Sequence, residues 1–409
     1  MTGANMTDLT PRQIAGAVKP PLWGRVLVRL AKRIGEGELV LRFTNGAERR
    51  ISAAKSGARA VLDVANPRML RKLLTGGDVG LAESYMAGDW TSPDLASVIE
   101  FGVRNTERLT ATLAGLAPVR LAHWLRHKLK PNNKRGSKKN IAAHYDLGNE
   151  FYKRWLDETM TYSSALFERP DMSLADAQRA KWQKMAEMLD LKPGQHVLEI
   201  GCGWGGFAMF LAREHGCRVT GLTLSQEQYA HARLAIAREG LSDRIDIRLQ
   251  DYRDVQGTFD RVASIEMFEA VGEEHWPRFF NIVRERLVKG GVAALQIITI
   301  ANDRFSRYRT EPDFIQLYIF PGGMLPSPDA LKDAVTRAQL GFESVRTFAL
   351  SYAETLKRWR ELFDERWQEI APLGFDERFK RMWDYYLACC EGGFRAGNIS
   401  VGQFRLTRT

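Results

Sequence analysis

The stretch HVLEIGCGWGGFAMFLA, residues 196–212, joins an apolar strand-like run to a helix-like run through a glycine-rich turn. The apolar run contains Glu199, which stands two residues before the first glycine. The turn holds four glycines: Gly201, Gly203, Gly205 and Gly206. Glycine lets the backbone turn sharply and lets a ligand approach the main chain closely. The stretch therefore predicts a cofactor site at the carboxyl end of a parallel β-strand.

From about residue 140 the sequence alternates between short apolar runs and helical stretches. The apolar runs are HVLEIGCG, CRVTGLTL, RIDIRLQD, FDRVASIE and GGVAALQIIT. They are rich in Val, Ile and Leu, as expected for strands that are covered on both faces. This alternation predicts an α/β fold with a doubly wound, mostly parallel, Rossmann-like sheet. The terminal run NISVGQFRL is expected to pair as an edge of that sheet.

Three regions are predicted along the chain. Residues 1–118 form a smaller α+β domain, in which GELVLRFTNGAERRIS indicates a β-hairpin that turns at Asn45-Gly46. In the same region PRMLRKLLTGG indicates a short helix that glycine ends. Residues 119–140 form a basic linker with Pro, Asn and Gly as breakers. Residues 141–409 form the domain that carries the glycine-rich turn.

Composition and charge bound the class of protein. No apolar run reaches the ~20 residues that span a bilayer, and the amino terminus lacks a secretory pattern. Four cysteines in 409 residues favour a reduced, cytoplasmic compartment. The net charge of +10 favours an anionic partner: nucleic acid, an anionic membrane or acidic metabolites. Residues 120–139 contain eight Lys or Arg and no acid, which fits either a solvated linker or docking to anionic lipid.

The turn at 201–206 suits a dinucleotide or S-adenosylmethionine (SAM). An acidic residue two positions before the first glycine, Glu199, is typical of SAM methyltransferases. A nicotinamide enzyme would place an acid at the end of the second strand to bind the ribose. This chain has Thr223 and Gln228 in that region instead. The third strand ends in LQDYRD, where Gln250, Asp251 and Tyr252 are candidates to hold the adenine. We therefore predict a SAM site.

Several motifs resemble the cyclopropane-fatty-acyl-phospholipid synthase family, which includes mycolic acid cyclopropane synthases and fatty-acid C-methyltransferases. They are HYDLGNEFYKRWLDETMTYSSALF, VLEIGCGWGGFA, LTLSQEQYAHA, FPGGMLPS and YYLACCEGGFRAGNISVGQF. The resemblance implies SAM-dependent transfer to the double bond of an unsaturated acyl chain of a membrane phospholipid. It also implies a cytoplasmic protein, peripheral on the inner face of the membrane. The SAM contacts that it implies are Tyr162, Ser163, Gly201, Gly203, Thr223, Leu224, Gln228, Asp251, Tyr252 and Ile265.

The chemistry of this family requires a base. Methylation of an isolated alkene places positive charge on the acyl carbons, and loss of a proton from the new methyl closes a ring. Loss from a neighbouring carbon gives a methyl- or methylene-branched chain, for which a separate reductase is an expected partner. The resemblance implies bicarbonate as the base, held by a Cys, a Glu, a His, an Ile backbone and a Tyr. The matching positions here are Ser164, Glu269, Gln296, Ile298 and Tyr352.

Two of these five ligands differ from the family pattern, and a third departure lies beside them. Where the family has Gly in SIGMFEH, this chain has Glu266 in SIEMFEA. We hypothesise that the Glu266 carboxylate occupies the place of the bicarbonate and serves as the base, with a raised pKa and a proton shared with Glu269. The alternative is that Glu266 caps the following helix or faces solvent.

Three other expectations complete the interpretation. A nucleic-acid methyltransferase is disfavoured, because SIEMFEAVG lacks the Asn/Asp-Pro-Pro-aromatic element that holds a flipped base. A non-catalytic lipid-binding protein is disfavoured by the intact glycine turn. The pair Cys389-Cys390 is predicted to pack in the core, and no Cys/His cluster has the spacing of a metal site. The amino-terminal region would suit a homodimer or a membrane contact.

Overall fold

The computed structural model describes residues 18–113, 117–128 and 147–409. Their strands form a four-stranded sheet near the amino terminus and a seven-stranded sheet after it. The strands are β1 Glu36–Phe43, β2 Glu48–Ser52, β3 Lys55–Val64, β4 Trp90–Thr91, β5 His196–Ile200, β6 Arg218–Thr223, β7 Ile245–Leu249, β8 Phe259–Ile265, β9 Leu287–Ile300, β10 Gly341–Thr347 and β11 Ile399–Thr407.

Helices cover both sheets. The α-helices are α1 Leu22–Ala31, α2 Arg68–Met86, α3 Leu95–Arg104, α4 Thr106–Leu113, α5 Ala117–Lys128, α6 Asn149–Lys153, α7 Leu174–Leu189, α8 Gly206–Glu214, α9 Gln226–Arg238, α10 Trp276–Arg286, α11 Asn302–Tyr308, α12 Pro328–Arg337, α13 Ala349–Glu365, α14 Trp367–Ile370 and α15 Glu377–Arg395. Short 3₁₀ turns lie at Tyr252–Asp254, Phe268–Ala270, Glu273–His275 and Ala371–Leu373, and a π-helix lies at Ile315–Ile319. None of the helices in the described ranges combines the length and hydropathy that crossing a membrane requires.

The amino-terminal sheet has the order β2-β1-β3-β4. The predicted hairpin is confirmed: β1 and β2 pair antiparallel, and Gly46 at their turn has a φ of 80°. The strand β3, which the sequence analysis did not identify, pairs parallel to β1. The helix predicted to end at its glycines bends there instead, because Gly77 has a φ of 62° and α2 resumes after it.

The larger sheet confirms the predicted α/β, doubly wound methyltransferase fold. Its order is β10-β11-β9-β8-β5-β6-β7, and the five strands from β9 to β7 are parallel. The order reverses between β5 and β8, and ligands of such sheets bind outside the carboxyl ends of the strands at this reversal. The expectation that the last strand forms an edge was wrong. The terminal β11 lies between β9 and β10, and the polar, mostly exposed β10 is the edge.

One hydrophobic core joins the amino-terminal region to residues 151–177, which precede the large sheet, and to helices α13–α15, which lie between β10 and β11 in the chain. Helix α3 packs on α15, and Arg381 of α15 donates to the backbone oxygens of Tyr85 and Trp90. The Tyr318 hydroxyl donates to Glu83 at 2.6 Å. Helix α5 crosses the predicted boundary at residue 118, and the rest of the predicted linker, 129–140, lies outside the described residues. The three-region division stays a prediction.

Candidate active site

The glycine-rich turn leads from β5 into α8 at the reversal of strand order. The amides of Gly201 and Cys202 both donate to the carbonyl oxygen of Leu222 on β6, at 3.0 and 2.9 Å. Gly201 has a φ of 85°, and a Cβ there would lie 2.7 Å from Cγ of Met267. Gly203 has a φ of 54°, and a Cβ there would meet no atom within 4 Å. The turn therefore requires glycine for its conformation and leaves backbone open toward the cavity beside it.

That cavity has a volume of about 160 Å³. Nearly all of the cofactor contacts predicted from the sequence line it: Tyr162, Ser163, Gly201, Gly203, Thr223, Leu224, Gln228, Gln250, Tyr252 and Ile265. Asp251 is not among the lining residues. Its carboxylate caps the turn Tyr252–Asp254 and forms a 2.6 Å ion pair with Arg253, so its role as a cofactor contact stays a prediction.

The cavity offers groups that fit the cationic cofactor SAM. Glu199, at the end of β5, is 2% exposed, and its Oε2 has no hydrogen-bond partner among the described residues. Desolvation raises the pKa of this carboxyl to about 8, opposed by the charge of Lys181. An unpaired carboxylate oxygen beside a glycine-rich backbone suits a ligand with positive charge and hydrogen-bonding groups. The residues present therefore fit SAM.

Lys181 is a site residue that the sequence analysis missed. It lies on α7, is fully buried, and donates from Nζ to Oγ of Ser163 at 2.7 Å. Desolvation lowers its pKa to about 7, while the charges of Glu266, Asp157 and Glu199 oppose the shift. The sequence held a signal, because Ala177 and Met185 lie one turn before and one turn after Lys181 and place it on the apolar face of α7. Its bond to Ser163 fixes a wall of the cofactor cavity.

Glu266 follows β8 and is the centre of the predicted base site. Its Oε1 accepts from the Ser164 amide at 2.9 Å and from Nε2 of Gln296 at 2.8 Å, and its Oε2 accepts from the Tyr352 hydroxyl at 2.6 Å. The 3₁₀ turn that follows has no side-chain cap, so Glu266 is not a helix cap. The structure thus brings together three predicted base-site residues, and the Glu266 carboxylate lies at their meeting point.

Gln296 is held in one orientation by its strand neighbours. On β9 it pairs with Gln403 of β11, whose Nε2 donates to Oε1 of Gln296 at 3.1 Å. The amide nitrogen of Gln296 is thereby directed at Glu266. Gln403 is a second site residue that the sequence analysis missed, and only the antiparallel pairing of β11 with β9 places it there.

Glu269 and Ile298 form the other part of the base site. The Ile298 amide donates to Oε1 of Glu269 at 2.5 Å, and Oε2 of Glu269 has no partner among the described residues. Desolvation raises the pKa of Glu269 to about 8, and the negative charge of Glu266 adds to the shift. Desolvation also raises the pKa of Glu266, although bonds from Tyr352 and Gln296 oppose it. Both carboxyls therefore hold protons more tightly than they would in water.

A second cavity, of about 440 Å³, meets the first one at Glu266. Three residues line both cavities: Tyr162, Glu266 and Ala270. The larger cavity is mainly apolar and has aromatic walls, formed by Phe314, Phe320, Tyr352, Tyr385, Tyr386 and Phe394. Cys389 and Cys390, which we predicted to pack in the core, also line it. The Tyr162 and Tyr386 hydroxyls lie 2.6 Å apart and join its walls where the cavities meet.

Comparison with known proteins agrees with this arrangement. The family model described as mycolic acid cyclopropane synthetase matches residues 132–404. The chain is 39% identical to the tuberculostearic acid methyltransferase of Mycobacterium tuberculosis, over 97% of this chain and 93% of that protein. It is 36% identical to the cyclopropane-fatty-acyl-phospholipid synthase of Escherichia coli, over 87% of this chain and 90% of that protein.

Among solved structures, a mycolic acid cyclopropane synthase complexed with SAH and CTAB superposes with a TM-score of 0.62. It is 33% identical, and the match covers 66% of this chain and 98% of that one. Coclaurine N-methyltransferase, at 19% identity and a TM-score of 0.60, shares the fold. The glycine turn, the cofactor cavity and these matches agree. The chain belongs to the mycolic acid cyclopropane synthetase family and is a SAM-dependent methyltransferase.

Proposed function

We propose that the protein methylates the double bond of an unsaturated acyl chain and that Glu266 is the base that completes the reaction. One observation carries this proposal. The Glu266 carboxylate lies where the cofactor cavity meets the apolar cavity, and it accepts hydrogen bonds from Ser164, Gln296 and Tyr352. A base at this junction is placed to accept a proton from the transferred methyl or from a neighbouring carbon of the chain.

The walls of the apolar cavity suit the charge that develops on the substrate. Bound SAM supplies an electrophilic methyl group. The alkene electron pair forms the new carbon–carbon bond, the carbon–sulfur bond breaks toward sulfur, and positive charge remains on the acyl chain. The aromatic faces of Tyr162, Tyr386 and Phe394 can stabilise that charge by cation–π attraction. Glu266 then accepts one proton, which leaves the substrate neutral.

Backbone conformation supports a role for the Glu266 side chain. Glu266 has a φ of 51°, a left-handed conformation that costs a non-glycine residue ~1–2 kcal/mol. Its amide nonetheless donates to the Gln296 carbonyl at 2.8 Å and keeps the strand register. Glycine would adopt this conformation without strain. A strained glutamate whose carboxylate fills an anion site is expected when the carboxylate itself is needed.

Two products are candidates. The first is a cyclopropane ring, formed by loss of a proton from the transferred methyl. The second candidate is a methyl- or methylene-branched chain, and the fixation of Glu266 favours it. In the family pattern the base is a bound ion, whereas here it is a side chain that is tethered to β8 and held in one place by three hydrogen bonds. The proton nearest to that place decides the product. A branched product would call for a separate reductase.

The proposed substrate is an acyl chain of a membrane phospholipid. The net charge of +10 favours an anionic membrane surface. Helix α5 supports this proposal, because its Leu121 and Leu125 are exposed and its Arg120 reaches the apolar cavity. We therefore propose that the protein works at the cytoplasmic face of a membrane without crossing it.

The test uses phosphatidylglycerol vesicles with oleoyl chains, in buffer freed of bicarbonate, with mass spectrometry of the lipids. Wild type should add one CH₂ unit to the chains, and fragmentation separates the ring from the branch. We expect Glu266→Gln to lower kcat by ~10²–10⁴-fold, the usual contribution of a general base. Glu266→Gly should lose as much activity, and added bicarbonate should restore part of it, because Ser164, Gln296 and Tyr352 remain to bind the anion.

The control is calorimetric titration with SAM, which both variants should bind as wild type does. Full activity of Glu266→Gln, or strict dependence of wild type on bicarbonate, would show that Glu266 is not the base. Absence of any CH₂ gain with wild type would contradict the methylation of phospholipid acyl chains itself.

A further inference from the structure

The amino-terminal domain forms a wall of the apolar cavity. Helix α2 contributes Gly76 and Val79 to the lining, and helix α3 contributes Val98, Gly102 and Val103. These residues precede the region 132–404 that the family model matches. The apolar cavity beside Glu266 is therefore completed by a part of the chain that lies before the region that the family model matches.

Two glycines in this wall have no conformational or packing reason to be glycine. Every other glycine in the described ranges either has a positive φ or would place a Cβ within 4 Å of a neighbouring atom. Gly76 and Gly102 lie within helices and have no positive φ, and a Cβ on either would meet no atom of the described residues within 4 Å. Both of them line the same cavity. Glycine inside a helix is less stable than alanine, so the room that it leaves is the feature that offsets this loss.

Charged residues lie beside both glycines. Nη2 of Arg304 donates to the carbonyl oxygen of Val103, the neighbour of Gly102, at 3.3 Å. Asp78 lies two residues after Gly76, and the charges of Arg307 and Glu311 act on the pKa of its carboxyl group. Arg307 and Glu311 form an ion pair at 2.6 Å. These charged side chains line the cavity, as do Arg120 and Asp313. The glycine wall thus borders the charged part of a cavity whose remaining walls are mainly apolar.

A lipid substrate has one polar end, and that end belongs beside the charged residues. The double bond must reach Glu266, so the segment between the ester and the double bond passes the glycine wall. We infer that Gly76 and Gly102 make room for the carboxyl-proximal segment of the acyl chain and thereby set which double-bond positions are accepted. This inference rests on the proposed acyl substrate and assigns a specificity function to the amino-terminal domain.

The experiment compares three chains in phosphatidylglycerol vesicles. Oleoyl and palmitoleoyl chains have equal lengths on the carboxyl side of the double bond, whereas palmitoleoyl and cis-vaccenoyl chains have equal lengths on the methyl side. Gly102→Phe would fill the space beside this position of α3. We expect Gly102→Phe to lower kcat/KM for cis-vaccenoyl relative to palmitoleoyl chains, because the cis-vaccenoyl chain is longer on the carboxyl side. The expected loss is ~10-fold or more, the range in which enzymes discriminate one methylene group. The oleoyl to palmitoleoyl ratio should stay as in wild type.

The matched control is Leu74→Phe, which adds bulk at an exposed position of α2 that does not line the cavity, and which should leave all three ratios unchanged. Gly102→Val serves as a smaller filling if the phenylalanine variant fails to fold or to bind SAM. The inference would be overturned if Gly102→Phe left the ratios between the three chains unchanged. It would also be overturned if the variant changed the ratio of oleoyl to palmitoleoyl chains, which differ only on the methyl side. Failure of the proposed function is distinguishable, since wild type would then modify none of the chains.

Discussion

At the scale of single residues, the site depends on how its protein groups hold one carboxylate. Desolvation raises the pKa of Glu266, and the hydrogen bonds from Tyr352, Gln296 and the Ser164 amide lower it again. The balance decides the pH above which Glu266 is an active base. Neighbouring Glu269, whose pKa lies at about 8, keeps a proton at neutral pH and so limits the repulsion between the two groups.

Tyr352→Phe tests this balance. The variant removes a hydroxyl 2.6 Å from Oε2 of Glu266, a bond that favours the charged carboxylate. The pKa of Glu266 should therefore rise further. Because the base must be deprotonated, the rise of kcat/KM with pH should move to higher pH, as a profile of initial rates would show.

Tyr386→Phe is the control for the pH profile. It removes a hydroxyl that bonds to Tyr162 rather than to Glu266. The rise of kcat/KM on the acidic side of the profile, its acidic limb, should therefore stay at the same pH as in wild type. An acidic limb that Tyr352→Phe leaves in place, or that both variants move equally, would contradict the assignment of that limb to Glu266.

At the scale of secondary-structure elements, the sequence predicted those parts of the fold that local patterns determine. The strands β5 to β9 stand out because they are short runs rich in Val, Ile and Leu between helical stretches, and the glycine turn marks the cofactor end of β5. The strand β10 was missed because an edge strand carries a polar, mostly exposed sequence. Gln403 could not be assigned to the site, because its contact with Gln296 depends on pairing across 107 residues.

Gly392 sets the distance between α15 and α3, the helix that packs on β3 of the four-stranded sheet. A Cβ at this position would lie 2.7 Å from the Ala96 oxygen and 2.8 Å from the Glu100 nitrogen, which are backbone atoms of α3. Backbone atoms inside a helix cannot move aside individually. We expect Gly392→Ala to lower the free energy of unfolding by ~1–3 kcal/mol, as overpacking does, in urea denaturation.

The adjacent Gly393 provides the matched control. A Cβ there would approach Cδ1 of Ile399 at 3.2 Å, the flexible end of a side chain. Gly393→Ala should cost less, and its gain in helix propensity of ~1 kcal/mol offsets part of the loss. Should Gly392→Ala prove as stable as Gly393→Ala, the close approach of α15 to α3 would not be what positions the amino-terminal domain.

At the scale of the whole molecule, two different cavities meet at Glu266. The cofactor cavity lies at the carboxyl ends of the parallel strands. Helices α2 and α3 form one wall of the apolar cavity, which is the acyl cavity of our proposal. A chain that stays attached to its phospholipid must enter from a membrane surface. The entry side should therefore carry apolar side chains near the charged part of the acyl cavity.

Helix α5 meets this requirement. Leu121 and Leu125 are 57% and 49% exposed, and Arg120 of the same helix lines the acyl cavity. Inserting a leucine into the lipid interface is worth ~1.5–3 kcal/mol when the side chain is fully buried. We expect the double variant Leu121→Asp/Leu125→Asp to bind phosphatidylglycerol vesicles at least about tenfold more weakly in sedimentation assays, because it removes apolar contact and adds negative charge.

The control is the double variant Leu234→Asp/Leu350→Asp on α9 and α13, where the leucines are 61% and 71% exposed but border neither cavity. It adds the same charge at a distance from the proposed entry side, so vesicle binding should change little. Higher salt should weaken binding of wild type, since exposed charges are screened beyond ~10 Å at moderate ionic strength. Equal loss of binding in both variants would mean that net charge, and not the position of α5 beside the cavity, brings the enzyme to its lipid.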